Sequence, residues 1–210
     1  MVGRLPQILY RDTRVLVLDK PHGLLSVPGI GPEKADCAAA RVAAAYPGAR
    51  IVHRLDRDTS GVMVMARDAE AHRHLSIQFQ DRRVRKAYLA VVSGRLEDDT
   101  GIVDLPIRKD LDDPPRHIVD RERGRPSKTE WRVLERLDGR TRVELLPLTG
   151  RSHQLRLHMK AVDHPILGDD LYAPPDVLAM ADRLLLHAAS LSFAHPETAA
   201  WMTFEAECPF

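Results

Sequence analysis

An α+β fold is predicted by three observations. Strand-like apolar runs outnumber helical stripes, and several strands follow one another too closely for helical crossovers, which favours antiparallel or mixed pairing. The run GVMVMA at 61–66 is apolar on both of its alternating sets, as in a strand covered on both faces. The expected architecture is a mixed, largely antiparallel sheet with a few packed helices and loops around a central cleft.

In chain order, residues 8–10 and 15–18 read as short strands, the second a continuous apolar run closed by the Lys20-Pro21-His22-Gly23 turn. Residues 35–46 form an alanine-rich helix stopped by Pro47-Gly48. After the strand at 61–66, Asp68 is placed to cap a helix whose Ala71, Leu75 and Phe79 recur at i, i+4 and i+8 and define its core stripe. Residues 88–92 are strand-like. A Pro- and charge-rich connection occupies 106–126, with strands following at 129–134 and 142–146. Gly150 and Ser152 open a helix that buries Leu155, Met159 and Val162, and strands at 184–193 and 202–206 end the chain. No period of roughly 20–50 residues marks a repeat protein. No linker-like stretch divides the sequence either, so 1–210 is expected to be a single domain.

With 210 residues, 44% hydrophobic and 29% charged, the composition is that of an ordinary soluble globular chain rather than a disordered or fibrous one. Cys37 and Cys208 lie far apart and outline neither a C-x-x-C pair nor a disulfide framework. Apolar runs fall short of the roughly 20 residues a membrane helix needs, and the first ten residues lack the apolar core of a signal peptide. A cytoplasmic monomer with no membrane partner is expected. The net charge of +1 gives no global attraction to nucleic acid, but the charges are segregated, with RRVRK at 82–86 and RERGRPSK at 121–128. Such runs are either solvated faces or phosphate-binding patches.

The stretch IVHRLDRDTSGVMVMARD at 51–68 carries three arginines and three aspartates, Arg54, Arg57, Asp56 and Asp58 among them packed around a turn that opens into the buried strand. Asp, Thr, Ser and Gly make turns by bonding their own backbone, so a plain turn explains D-x-x-S-G strings as well as an active site does. Competing chemistries fit poorly. His53-Arg54-Leu55-Asp56 is superficially like a kinase catalytic loop, yet the Gly-rich loop and D-F-G are missing. His153 and His158 are five apart and do not share a helical face as a zinc-binding pair would, so no metal is expected. No G-x-S-x-G elbow occurs. Glycoside hydrolysis needs a carboxylic acid of raised pKa, whereas Arg54 and Arg57 favour the ionised form of carboxylates beside them. An ionised Asp at an anomeric carbon suits breaking a base–sugar bond without water.

The second stretch of note is LTGRSHQLRLHM at 148–159. Arg156 stands beside the buried Leu155, and an arginine next to core residues wants a carboxylate partner. An amphipathic helix with a basic outer face is the alternative.

Together with KAYLA at 86–90, these segments give the chain a resemblance to the RluA-type pseudouridine synthases. The family pattern H-R-L-D-x-x-T-S-G matches residues 53–61, K-x-Y-x-A matches 86–90, and G-R-x-H-Q-[IL]-R-x-H matches 150–158. L-D-K-P-x-G-L-L matches 18–25 and H-P-I-L-G-D matches 164–169. Five spaced motifs in order cover the chain from about residue 8 to its end, and the likeness is greatest to the small dual-specificity branch acting on 23S rRNA and tRNA. Many relatives carry an N-terminal S4 RNA-binding domain; here the catalytic domain is expected to begin within the first ten residues, without one.

The resemblance implies that Asp56 is the catalytic aspartate, Arg156 its salt-bridge partner and Tyr88 the active-site tyrosine. It implies cleavage of the N1–C1′ bond of uridine, rotation of the detached uracil and rejoining through C5, with no metal, nucleotide or redox cofactor. A stacked uridine must first be flipped out, a step in which the resemblance implicates Arg54; a salt bridge to Asp58 or a phosphate contact is its other reading. Ile51 and Leu155 are candidates to wall the uracil pocket, although core packing explains them equally well. Arg121, Arg123 and Arg125, in the long connection, are candidate contacts to the RNA backbone. Two other functions remain open: an RNA-binding or RNA-folding protein on the same fold, and a nucleoside hydrolase releasing free uracil. A dedicated rRNA enzyme is the alternative to dual specificity.

Overall fold

The computed structural model describes residues 3–210. They form two compact units, one made of the chain up to Lys86 together with His187–Pro209, the other of Ala87–Leu186 with Phe210. The class is α+β, with largely antiparallel strand pairing and a parallel pair, Ser60–Ala66 with Leu186–Ala194, among the described residues.

In the first unit the strand order is β1 (Gln7–Arg11), β2 (Val15–Lys20), β4 (Ser60–Ala66) and β11 (Leu186–Ala194). The two-residue β3 (Arg50–Ile51) pairs with β4, and β12 (Trp201–Glu205) pairs with β11. The parallel pair is β4 with β11, joined at His187 with Ser60 and Ala188 with Gly61. Every residue of β4 is buried, as its two apolar faces require. Helix α1 (Ala38–Ala45) is shorter than the alanine run suggested, because Cys37 caps it and residues 32–34 form a separate 3-10 turn. Helix α2 (Ala69–Gln80) starts where expected: the Asp68 carboxylate accepts the Ala71 N–H at 2.8 Å. Its Ala71 and Leu75 join Val15, Val17, Val62, Val64 and Phe193 in the core of this unit, with Phe79 packed against them.

The second unit has the strand order β5 (Arg85–Ser93), β10 (Arg140–Pro147), β9 (Lys128–Leu137) and β6 (Thr100–Asp104). Its core joins Ala90, Val92, Val143 and Leu145 from the sheet to Leu155 and Met159 of α3 (Gln154–Ala161). A one-turn helix, α4 (Pro175–Leu178), lies further along.

The connection at 106–126 is not irregular throughout. It contains a separate two-stranded hairpin, β7 (Ile107–Lys109) with β8 (His117–Val119). Asp120 then folds the chain back, its carboxylate accepting the N–H groups of Glu122 and Arg123 and pairing with Arg108 at 2.6 Å. The Arg108 hydrogen bond, followed by those backbone donors, pulls the Asp120 pKa down to about 2.

Candidate active site

Residues 52–59 connect β3 to β4 and carry Asp56. Leu55 is the anchor of this loop, only 5% exposed, while Arg54 on one side is exposed and Asp56 on the other is half-buried. The loop is held by side chains from an earlier segment that bond its backbone. Ser26 Oγ donates to the Leu55 carbonyl at 2.7 Å and accepts the Leu55 N–H at 3.0 Å. Lys20, fully buried at the end of β2, donates from Nζ to the carbonyls of Arg57 (2.9 Å), Leu24 (2.7 Å) and Pro21 (2.9 Å). His22 Nδ1 donates to the Asp58 carbonyl at 2.9 Å.

Within the loop, the Thr59 N–H closes a turn on the Asp56 carbonyl at 3.3 Å. Asp58 pairs with Arg57 at 3.0 Å, so the reading of Arg54 as the Asp58 partner is not met. At the exit, Gly61 has φ +114° and lies so close to β11 that an added Cβ would sit 2.2 Å from the Ala188 carbonyl oxygen. No other residue fits there, which explains the glycine of the motif.

His53 is a brace rather than an acid or base. Its Nε2 accepts the Val64 N–H at 3.0 Å, which places the ring proton on Nδ1, and the ring stacks on Phe79 with centroids 4.5 Å apart. Burial, reinforced by the charge of Lys86, pushes its pKa down to about 3. Burial and then the Arg82 charge lower Lys86 in turn, to about 8.

Arg156 lies on α3, which is no amphipathic surface helix: every residue from Gln154 to Met159 is buried. The chain enters it through His153 in the left-handed region, φ +55°. Gln154 locks that entry, its Oε1 accepting from Thr149 Oγ1 (2.7 Å) and the Arg151 N–H (3.1 Å), its Nε2 donating to the Lys128 carbonyl (3.0 Å) and Thr129 Oγ1 (2.9 Å). The Arg156 guanidinium is 3% exposed and carries the carboxylate pairing its position called for. Nε and Nη2 form a fork on Asp169 at 2.8 and 2.5 Å, and Nη2 also reaches Asp170 at 2.8 Å. Asp169 is itself fully buried, its Oδ1 further accepting the N–H groups of Leu171 and Tyr172 at 3.0 Å each.

Tyr88 stands half-buried on β5 opposite Leu145 and packs on the core of the second unit. Leu155 is 7% exposed within that core, whereas Ile51 is half-buried on β3 opposite Met65. Arg121, Arg123 and Arg125 are all exposed, in the segment that Asp120 folds back after the β7–β8 hairpin. The supporting groups Lys20, Ser26, His22 and Asp169 were not anticipated. Lys20, His22 and Asp169 do lie inside two of the matched motifs, 18–25 and 164–169, but nothing local assigns them a task.

Comparison with known proteins converges on one class of enzyme. The model of the RNA pseudouridylate synthase family matches residues 14–161. The chain is 49% identical over 204 residues to the dual-specificity RNA pseudouridine synthase RluA of Yersinia pestis, covering 97% of this chain and 99% of that one. It is 48% identical to the protein of that name from Escherichia coli strain K12, with coverage of 97% and 93%. Among solved structures, human RNA Pseudouridylate Synthase Domain Containing 1 superposes with a TM-score of 0.83 at 28% identity, over 100% of this chain and 87% of that one. The fold and these matches define an RNA-modifying isomerase. More narrowly, the chain belongs to the RluA-type pseudouridine synthase family and converts uridines in RNA to pseudouridine.

Proposed function

We propose that the uridines converted lie in stem-loops, in a tRNA anticodon arm and in a 23S rRNA hairpin, and that Asp56 is the catalytic carboxylate. The dual-specificity name of the RluA relatives supports two RNA substrates. Sequence-specific RNA recognition generally targets loops whose bases can be splayed out, which supports stem-loops. The observation that carries the catalytic reading is the loop at 52–59, whose backbone is braced by Lys20, Ser26 and His22. Bracing through the backbone fixes where the Asp56 side chain starts, which is the positioning a reacting group needs.

In this reading Arg54 enters the base stack as the target uridine leaves it, and Ile51 and Leu155 wall the uracil. Asp56 acts at the sugar with Arg156 as its charge partner, and the N1–C1′ bond breaks. The uracil turns, C5–C1′ forms, Tyr88 takes the C5 proton and N1 gains one. The reaction balances without an oxidant or reductant. Arg121, Arg123 and Arg125 hold phosphates, contacts that set affinity rather than sequence.

The test uses RNA stem-loops tritiated at uridine C5. Wild-type protein should release tritium from an isolated anticodon stem-loop and from an rRNA hairpin. Asp56→Asn should release none while binding the same RNA, since carboxylate and amide are nearly isosteric. Turnover by Asp56→Asn near the wild-type rate would remove Asp56 from the chemistry. An inert anticodon stem-loop beside a modified rRNA would make this a dedicated rRNA enzyme.

A further inference from the structure

Tyr172 makes four connections that core packing alone does not call for. It is 4% exposed and packs with Ile107 of β7 and Leu157 of α3, with Val119 of β8 against them, where the hairpin meets the helix. Its hydroxyl oxygen accepts the N–H of His117, the first residue of β8, at 2.8 Å, and lies 2.8 Å from His153 Nδ1 at the entry of α3. The Arg156 guanidinium carbon sits 5.3 Å from its ring centroid. Its own N–H bonds the Asp169 oxygen that receives Arg156 Nη2. We propose that Tyr172 is a positioning residue that latches the arginine-bearing hairpin to α3 and, through its ring, seats Arg156. The hairpin would otherwise be poorly placed, because strands of three residues pair too briefly to hold themselves. Arg121, Arg123 and Arg125 follow β8 directly, so a hairpin latched before RNA arrives presents them with less ordering left to do on binding.

The inference rests on the reading that these arginines contact RNA, and the experiment separates the two. Affinity for a stem-loop, the single-turnover rate at saturating RNA and the thermal midpoint are measured for each variant. Tyr172→Phe removes the hydroxyl and keeps the ring. His117→Pro deletes the donating N–H from the other side, whereas His117→Ala retains it. Losing the hydroxyl's bonds to His117 and His153 should weaken RNA binding about 3- to 10-fold in Tyr172→Phe, more than it slows the saturated rate. His117→Pro should lose most of what Tyr172→Phe loses, the pair combined should lose no more than Tyr172→Phe alone, and His117→Ala should lose less than His117→Pro. Tyr172→Leu, which also removes the ring, should in addition slow the saturated rate about tenfold, a loss of about 1.4 kcal/mol. If Arg121, Arg123 and Arg125 replaced together by Ala bind RNA as wild type does, the RNA reading of the hairpin falls. If that triple variant binds weakly while Tyr172→Phe and His117→Pro bind normally, the latch alone is overturned. A Tyr172→Leu variant no slower at saturation than Tyr172→Phe would remove the ring from the seating of Arg156.

Discussion

The loop that carries Asp56 and the helix that carries Arg156 are both rigid, but they are fixed in opposite ways. In the loop, side chains from residues 20–26 bond the backbone on either side of Asp56: Ser26 takes both polar groups of Leu55, Lys20 the Arg57 carbonyl and His22 the Asp58 carbonyl. In α3 it is the side chain itself that is clamped, Arg156 lying between Asp169, Asp170 and the Tyr172 ring. The difference lies in what is held: the backbone that carries Asp56 in one case, the charged head of Arg156 in the other.

Breaking the side-chain clamp should have the largest effect on stability. Asp169→Ala leaves the buried Arg156 charge without its fork, and losing one partner of such a pair costs about 3–5 kcal/mol. Asp170, half-exposed and still in reach, places the result toward the lower end. Urea unfolding measures it, and a loss under about 1 kcal/mol would mean that Arg156 is held by other contacts. Breaking the backbone brace comes next. Lys20→Met keeps the volume but strips three carbonyls of a charged donor, for about 2–3 kcal/mol. Turnover should fall further than that stability loss explains, because the Arg57 carbonyl is one of the three.

What could be read from the sequence follows the same divide between local and distant causes. Strand β4 and helix α2 were legible because their signals are local: continuous burial in one, the Asp68 cap and an i, i+4, i+8 stripe in the other. The β7–β8 hairpin was hidden by its connection, where Asp110, Asp112, Asp113, Pro114 and Pro115 read as loop, and by strands too short to show alternation. Strand β6 escaped because TGIVD lies at the edge of its sheet, paired with β9, and leaves Ile102 more than half exposed, so its pattern is not that of a buried strand. The need of Arg156 for a carboxylate was legible from its buried neighbours. That Asp169 serves it, thirteen residues on, is decided by the fold.

His53 joins the brace to the strand behind it, and its titration sharpens the comparison through pH. Its folded pKa of about 3 lies below the ordinary 6.5, so above pH 6.5 the ring is neutral folded or unfolded and contributes no pH dependence. Between 6.5 and 3 the unfolded chain takes up a proton that the folded chain refuses, and stability falls as the pH falls. The slope is at most about 1.4 kcal/mol per pH unit, less where solvent reaches the half-buried ring. Lowering the pH from 7 to 5.5 should therefore cost about 1 kcal/mol at most on this account. His53→Gln keeps an acceptor for the Val64 N–H and has nothing to titrate. A pH profile in that variant parallel to wild type would assign the dependence elsewhere.

The smallest effect separates the two kinds of support most cleanly. Ser26→Ala removes a hydroxyl that serves the Leu55 N–H and carbonyl, and Asp68→Ala removes the cap of α2, for about 1 kcal/mol each. Their chemical consequences should diverge. The slack left by Ser26→Ala falls on the residue before Asp56, and a displacement approaching 1 Å at a reacting group costs turnover steeply, here about tenfold or more at saturating RNA. The slack left by Asp68→Ala falls on the first turn of α2, at a carboxylate whose other partner is Arg14 at 3.1 Å, well along the chain from the loop, and should leave turnover within about twofold of wild type. Single-turnover rates on one stem-loop, set beside urea midpoints, give the comparison directly. Equal losses of turnover at equal losses of stability would show that the Asp56 loop responds only to global stability, and that the Ser26 bonds hold the fold without aiming the carboxylate.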